Sequence, residues 1–346
     1  MDLNLLNLVI ATTLASFLLT ILLFYISKIL PSIIEHPSGS IRKIHKKAMI
    51  KIGGISLLAI NTFTLYYDNL QIILILIFST FFLLLGILAD MNKNFSALQR
   101  LILFFLLIIV YLLLSDNFIN HLDSNFATLL IQNSYISFFI FSTLCIALFV
   151  NGANLIDGLH GLKIGSMIII CISLYIQIPD NFNYLKAFLV VIITSSICLF
   201  LVNFILANIK SGDTGAYYIG FVIASISIYI HNLQIIHSFH LACILSYPIM
   251  EVTFTYFRRL ANRENPFKPD SKHIHSRLYK LIRTKLNKIS PEFSNRITSI
   301  ILLSLQVLVQ IFAHLYEVTG DGYVINFFII MFMYAFIYIF LSKIKT

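Results

Sequence analysis

Charge is what this sequence has least of. Only 11% of its 346 residues are Asp, Glu, Lys or Arg, against roughly 25% in soluble domains, while 59% are hydrophobic. That composition excludes a water-soluble globular enzyme. It also excludes a disordered chain, which is poor in apolar residues. Cysteine is scarce: Cys145, Cys171, Cys198 and Cys243 stand singly in apolar runs, with neither zinc spacing nor a disulfide framework. Tryptophan is absent, so the 17 tyrosines are left to serve the interfacial aromatic belts. Residues 1–27 hold no Lys or Arg, so the basic start of a secretory signal is missing. The apolar stretch there reads as a retained first span.

What is present is long hydrophobic runs, and the mean hydropathy is +0.90. The runs fall near 3–27, 52–67, 71–89, 101–115, 136–150, 164–179, 185–206, 217–231, 239–257, 297–315 and 323–342. At about 20 residues per span, they predict an all-α, polytopic integral membrane protein forming one domain over 1–346. Eleven transmembrane helices are expected, with ten as the alternative count. Basic residues set the orientation. With the N-terminus outside and the C-terminus cytoplasmic, Lys186 alone among the 24 Lys and Arg faces outward. The cytoplasmic loops then lie near 28–51, 90–100, 151–163, 207–216 and 258–296. The net charge of +9 is on this reading a topological signal, and no nucleic-acid partner is expected.

Four inward segments are more polar than topology requires. They are Gly86 to Asn92, Asn151 to Leu162, Asn203 with Ser211 to Gly215, and Asp270 to Leu278. Carboxylates at bilayer ends are costly unless partnered, so Asp90, Asp157 and Asp213 point to a site. Hard oxygen donors suit Mg²⁺, which takes one or two carboxylates plus substrate phosphates. In a helical continuation Asn151, Asn154 and Asp157 span an arc of about 120°. Lys272, His273, His275 and Arg277 supply donors able to hold a diphosphate.

These segments resemble the polyprenyl-phosphate N-acetylhexosamine-1-phosphate transferases, the glycosyl transferase family 4 membrane enzymes. Pro37-x-x-Ser40-x-Arg42-x-x-His45 followed by Gly53-Gly54-Ile55 is similar to the family's first inward loop. Asn151-x-x-Asn154-x-x-Asp157-Gly158-x-x-Gly161-Leu162 resembles its most specific signature. Asn203, Ala207 and Gly212-Asp213-Thr214-Gly215 match another, and Asp270-x-x-His273-x-His275 resembles its last basic loop. The peptidoglycan-precursor branch carries a Thr-Pro-Thr segment missing here. The likeness is therefore closer to the branch that initiates O-antigen, common-antigen or teichoic-acid lipid carriers.

The resemblance implies catalytic roles for Asp90, Asp157 and Asp213, with Asp213 and Asn154 as metal ligands. It implies substrate binding by His45, Lys46, Asn151, Asn154, His160, Asn203, His273, His275 and Arg277. It also implies Mg²⁺, with Mn²⁺ as its substitute, and transfer of a sugar 1-phosphate from a UDP-sugar to polyprenyl phosphate. The setting would be the bacterial plasma membrane, with the active site on its cytoplasmic face and a homodimer left open. The chain departs from the pattern in places. One Asp of an Asp-Asp pair is missing around Ala89-Asp90-Met91, and His160 stands where a second Asp is usual. Ser276 replaces a His, and Ile50, Ala216 and Glu251 replace Pro, Ser and Asp. A catalytically impaired relative is thus one rival reading. A secondary transporter is the other, though it would place its polar groups near the midplane.

Overall fold

The computed structural model describes residues 3–35, 48–92, 94–124, 134–207, 209–264, 272–315 and 322–344. Among them the architecture is all-helical, apart from one small two-stranded sheet. In chain order the helices are α1 (Leu3–Ile29), α2 (Leu70–Met91), α3 (Ala97–Ser115), α4 (Tyr135–Leu155), α5 (Leu162–Gln177) and α6 (Asn183–Leu201). They continue with α7 (Gly212–Asn232), α8 (Ser238–Ile244), α9 (Ser246–Ala261), α10 (Ile274–Lys285), α11 (Pro291–Leu315) and α12 (Gly322–Lys343). Among the described residues eight helices are long and apolar enough to cross a membrane. The shorter apolar segments are α5, the α8–α9 pair and a 3₁₀ segment, Gly53–Leu65. Every apolar run of the sequence coincides with one of these. The run at 239–257 is broken, because the chain kinks at Leu245 between α8 and α9.

Local chemistry explains the helix starts. Asn69 caps α2 through the Ile72 amide. Ser96 and Gln99 form a reciprocal capping box on α3, and Ser134 caps α4. The Gly53–Leu65 segment needs a different account. As an α-helix its 13 residues would reach about 20 Å; as a 3₁₀ helix they reach about 26 Å. The tighter winding lets a short run extend most of the way across a hydrocarbon core. Ser56, Thr62 and Thr64 each donate to the carbonyl three residues back.

The bundle is built around α7. Eighteen of its 21 residues are buried, as expected of a helix apolar on every side and enclosed by others. Phe82 of α2 stacks on Phe221 at 4.4 Å, and Phe104 of α3 meets Tyr217 edge-on at 4.5 Å. Gly86 lets α2 lie directly on the first turn of α7, since a Cβ there would strike the Thr214 backbone. At the same end β1 (Ile34–Glu35) pairs antiparallel with β2 (Met49–Ile50). The chain beyond β2 is then hydrogen-bonded to the approach to α7: Lys210 N to Ile50 O, Gly53 N to Lys210 O and Gly54 N to Ser211 O.

Because the Gly86 contact is to backbone, a larger residue cannot be absorbed by a rotamer change. Gly86→Val is expected to cost about 1–3 kcal/mol, read as earlier thermal unfolding in detergent. An unchanged melting temperature would refute the close α2–α7 approach.

Candidate active site

The first turn of α7 is organised by a residue from another helix. Helices leave their first amides unsatisfied, and here Asp90, at the end of α2, takes two of them. Its Oδ1 accepts from the Asp213 amide at 3.1 Å, and its Oδ2 accepts from Thr214 N at 2.9 Å and Thr214 Oγ1 at 2.7 Å. A carboxylate at this end also meets the positive pole of the helix dipole. Gly212 makes the approach feasible. It has φ +67°, and a side chain there would meet both the Lys51 carbonyl and the Asp90 carboxylate.

The other two aspartates are paired with cations. Arg100 Nη1 donates to Asp213 Oδ2 at 2.7 Å, and Tyr217 Oη donates to the same oxygen at 3.1 Å. Asp213 Oδ1 has no partner among the described residues. Asp157 Oδ2 lies 3.1 Å from Lys163 Nζ and 3.6 Å from Lys210 Nζ. Lys163 is buried and donates to the Gly212 carbonyl at 2.7 Å, which ties the Asp157 loop to the residue before Asp213. Lys51 Nζ donates to the Asp90 carbonyl at 2.7 Å. Asp157 is the main reason the Lys210 ammonium is held above its ordinary pKa, so that group stays charged at neutral pH. Four cations thus stand among these three aspartates, and Glu35 also acts on Lys210.

The remaining residues singled out in the sequence divide into clamps and linings. Asn203 sits in a π-helical turn, Val202–Leu206, and spends its amide on two loops. It accepts from Gly161 N and donates to Ile209 O, both at 2.6 Å. His160 is buried, with its backbone amide held by Asn295 of α11 at 2.8 Å. Asn151 bonds back to Ala147 O. His273 is 3.1 Å from Glu251 and its ring stacks on His275. The His275 ring in turn lies against Gly158, where a Cβ would collide with Nε2. This contact brings the last basic segment to the Asp157 loop. Arg277 turns instead to α12, where its guanidinium lies over Tyr338 and donates to the phenol. Asn154, one turn before Asp157, has no side-chain hydrogen bond among the described residues. His45 and Lys46 lie outside the described residues.

Sequence reasoning counted Lys51, Arg100, Lys163 and Lys210 only as topological charge. The signal that could have found them was position: each lies within about ten residues of a polar motif. Lys163 in particular begins an apolar helix, where a lysine with no partner would be costly.

Asp90 and Asp213 make different demands on the fold. Asp90→Ala leaves buried amides unsatisfied and is expected to cost about 1–3 kcal/mol. Asp213→Asn loosens a partly exposed ion pair, worth under about 1 kcal/mol. Thermal unfolding of the two purified variants should rank them in that order; the reverse order would dismiss Asp90 as the anchor of α7.

Comparison with known proteins bears on what this geometry serves. Residues 72–231 match the family model described as glycosyl transferase family 4, a window that contains all three aspartates. A probable undecaprenyl-phosphate N-acetylglucosaminyl 1-phosphate transferase of Bacillus subtilis (strain 168) is 27% identical over 252 residues, 71% of this chain and 69% of that protein. The Thermotoga maritima undecaprenyl-phosphate alpha-N-acetylglucosaminyl 1-phosphate transferase is 26% identical over 36% of this chain and 38% of its own length. A phospho-N-acetylmuramoyl-pentapeptide-transferase of Endomicrobium trichonymphae is 29% identical over 49% and 54%. The motifs and the bundle agree with these matches, and together they support a likeness to the polyprenyl-phosphate hexosamine-1-phosphate transferase superfamily.

Proposed function

We propose that this protein transfers an N-acetylhexosamine 1-phosphate from a UDP-sugar to undecaprenyl phosphate, releasing UMP and starting a cell-envelope glycan. The observation that carries the reading is the cluster of Lys51, Arg100, Lys163 and Lys210 around Asp90, Asp157 and Asp213. Phosphoryl transfer depends mostly on positioning and on neutralising charge, and this cluster is equipped for both. An oxygen of the lipid phosphate forms a bond to the sugar-bearing β-phosphorus. The bond from that phosphorus to the bridging oxygen breaks, and UMP leaves with the electron pair. Lys210, paired with Asp157 and partly exposed, is the lysine that would meet the diphosphate, while buried Lys163 ties Asp157 to the Gly212 carbonyl. Asp90 acts as a positioning residue, since both of its oxygens are engaged by α7.

The donor set fits Mg²⁺ held chiefly by substrate phosphates. Asp213 Oδ1 has no partner and the Asn154 amide has none, whereas no three carboxylate, thiolate or imidazole ligand atoms of described residues converge at this end. Mg²⁺ would neutralise charge on the diphosphate when bound. For the lipid tail, an apolar cavity of about 210 Å³ is lined by Tyr247, Met250, Ile274, Leu302 and Tyr334. It begins beside the histidine pair, because Ile274 separates His273 from His275.

Membranes containing the protein, given undecaprenyl phosphate and a panel of UDP-sugars, should form a lipid-linked sugar with UMP release. Asp213→Asn should lower turnover at least about a hundredfold. No product with any UDP-sugar, or full turnover in the folded variant, would count against the reading. With limiting acceptor the rate should rise to a plateau around pH 6, where a phosphate monoester loses its second proton. A flat profile from pH 5 to 8 would sink the view that the acceptor supplies its own dianion.

The proposed orientation has its own test. Asp180 is exposed in the short turn before α6 and Asn287 follows α10, at opposite ends of the bundle. In a cysteine-free background, Asp180→Cys should label from outside the cell and Asn287→Cys only after permeabilisation. Labelling of both from one side would overturn the cytoplasmic placement of the site.

A further inference from the structure

The end of the bundle away from the aspartates holds a second group of polar side chains. His121 and Asp123 follow α3, and His231 is the next-to-last residue of α7. One ligand atom from each of the three lies within 4.8 Å of the others. His121 Nε2 is 3.4 Å from Asp123 Oδ1, and His231 Nδ1 is 3.7 Å from Asp123 Oδ2. The two imidazoles stack with centroids 4.4 Å apart.

Hydrogen bonding here leaves a charge deficit. His121 Nδ1 lies 2.5 Å from Asn120 Oδ1, so its proton sits there and Nε2 carries a lone pair. That Nε2 is buried with no hydrogen-bond partner and faces a carboxylate. The His231 ring has Nε2 at 3.0 Å from His121 O and Nδ1 at 3.0 Å from Ile236 O. A neutral imidazole has one N–H, so one of its nitrogens also turns a lone pair toward oxygen. Two protons would cure this only by placing two imidazolium rings face to face. One dication relieves both rings at once. Tetrahedral bonds of about 2.0–2.2 Å set ligand atoms about 3.3–3.6 Å apart, close to the 3.4 and 3.7 Å from Asp123 to the two histidines.

We propose that His121, Asp123 and His231 bind one transition-metal dication of the zinc class, clipping the segment after α3 to the last turn of α7. Two imidazoles and a carboxylate favour such an ion over Mg²⁺ or Ca²⁺. With Nδ1 on the metal, His231 donates Nε2–H to the His121 carbonyl, the usual outer partner of a ligating histidine. Asp123 is oriented in advance, because Ser238 N donates to its Oδ2 at 2.8 Å. Three protein ligands leave a fourth position for water.

The test uses full-length protein in detergent, stripped with a chelator and titrated with Co²⁺. One Co²⁺ per chain should bind, with the visible absorption of tetrahedral coordination. Zn²⁺ should displace it, and Mg²⁺ should not. His121→Ala and Asp123→Asn should each weaken Co²⁺ binding at least about a hundredfold and abolish the rise in melting temperature that Zn²⁺ gives the unmodified protein. His231 is left alone, since its ring bonds two carbonyls. Co²⁺ binding that is absent, or that survives both substitutions, would overturn the site. So would stripped protein that is stabilised at pH 5.5 but gains nothing from Zn²⁺ at pH 7, since protons alone would then fill the deficit.

Discussion

The hydrogen bonds from the first turn of α7 to the Asp90 carboxylate are what the rest of the site depends on. They join the end of one helix to the start of another across 123 residues of chain. They fix the backbone of Asp213, and so the direction in which its side chain meets Arg100. They also seat Gly212 under Lys163, which then reaches Asp157. Remove the carboxylate, and the amides that it neutralises lose their acceptor.

This arrangement recasts the departure from the family's Asp-Asp pattern. A lone carboxylate with three donors on it has three of its about four lone pairs engaged. It is a good anchor for that reason. The side chains flanking it differ in setting: Ala89 packs against the core and Met91 is exposed. The chain therefore keeps the acid that holds α7, and the carboxylate it lacks belongs at one of these two flanking positions.

Much of the fold was legible because hydropathy measures the property a bilayer selects. The runs at 71–89 and 101–115 became α2 and α3 with little adjustment. The break at Leu245 was not legible, because Ser246 and Pro248 fall inside the single run read at 239–257. In the site, the aspartates stood out because carboxylates are rare in apolar surroundings. The roles of Asn203 and His160 did not, because which loop a side chain clamps is decided by residues such as Ile209 and Asn295, distant in sequence. Lysine was the least legible residue type. The same ammonium can report topology or neutralise a phosphate, and only burial, as at Lys163, separates the two.

The 3₁₀ winding of Gly53–Leu65 makes that segment a three-edged prism, with side chains in register every third residue. One edge runs Gly53, Ser56, Ala59, Thr62, and Thr12 and Ser16 of α1 bond to it through Thr62 and Ser56. A second runs Gly54, Leu57, Ile60, Phe63, all buried. The third, Ile55, Leu58, Asn61, is only half-buried. Deleting a single residue would turn everything beyond it by about 120°, exchanging one whole edge for the next. An α-helix that loses a residue turns by about 100°, which superposes none of its rows on another; this prism would bring one whole edge onto the next.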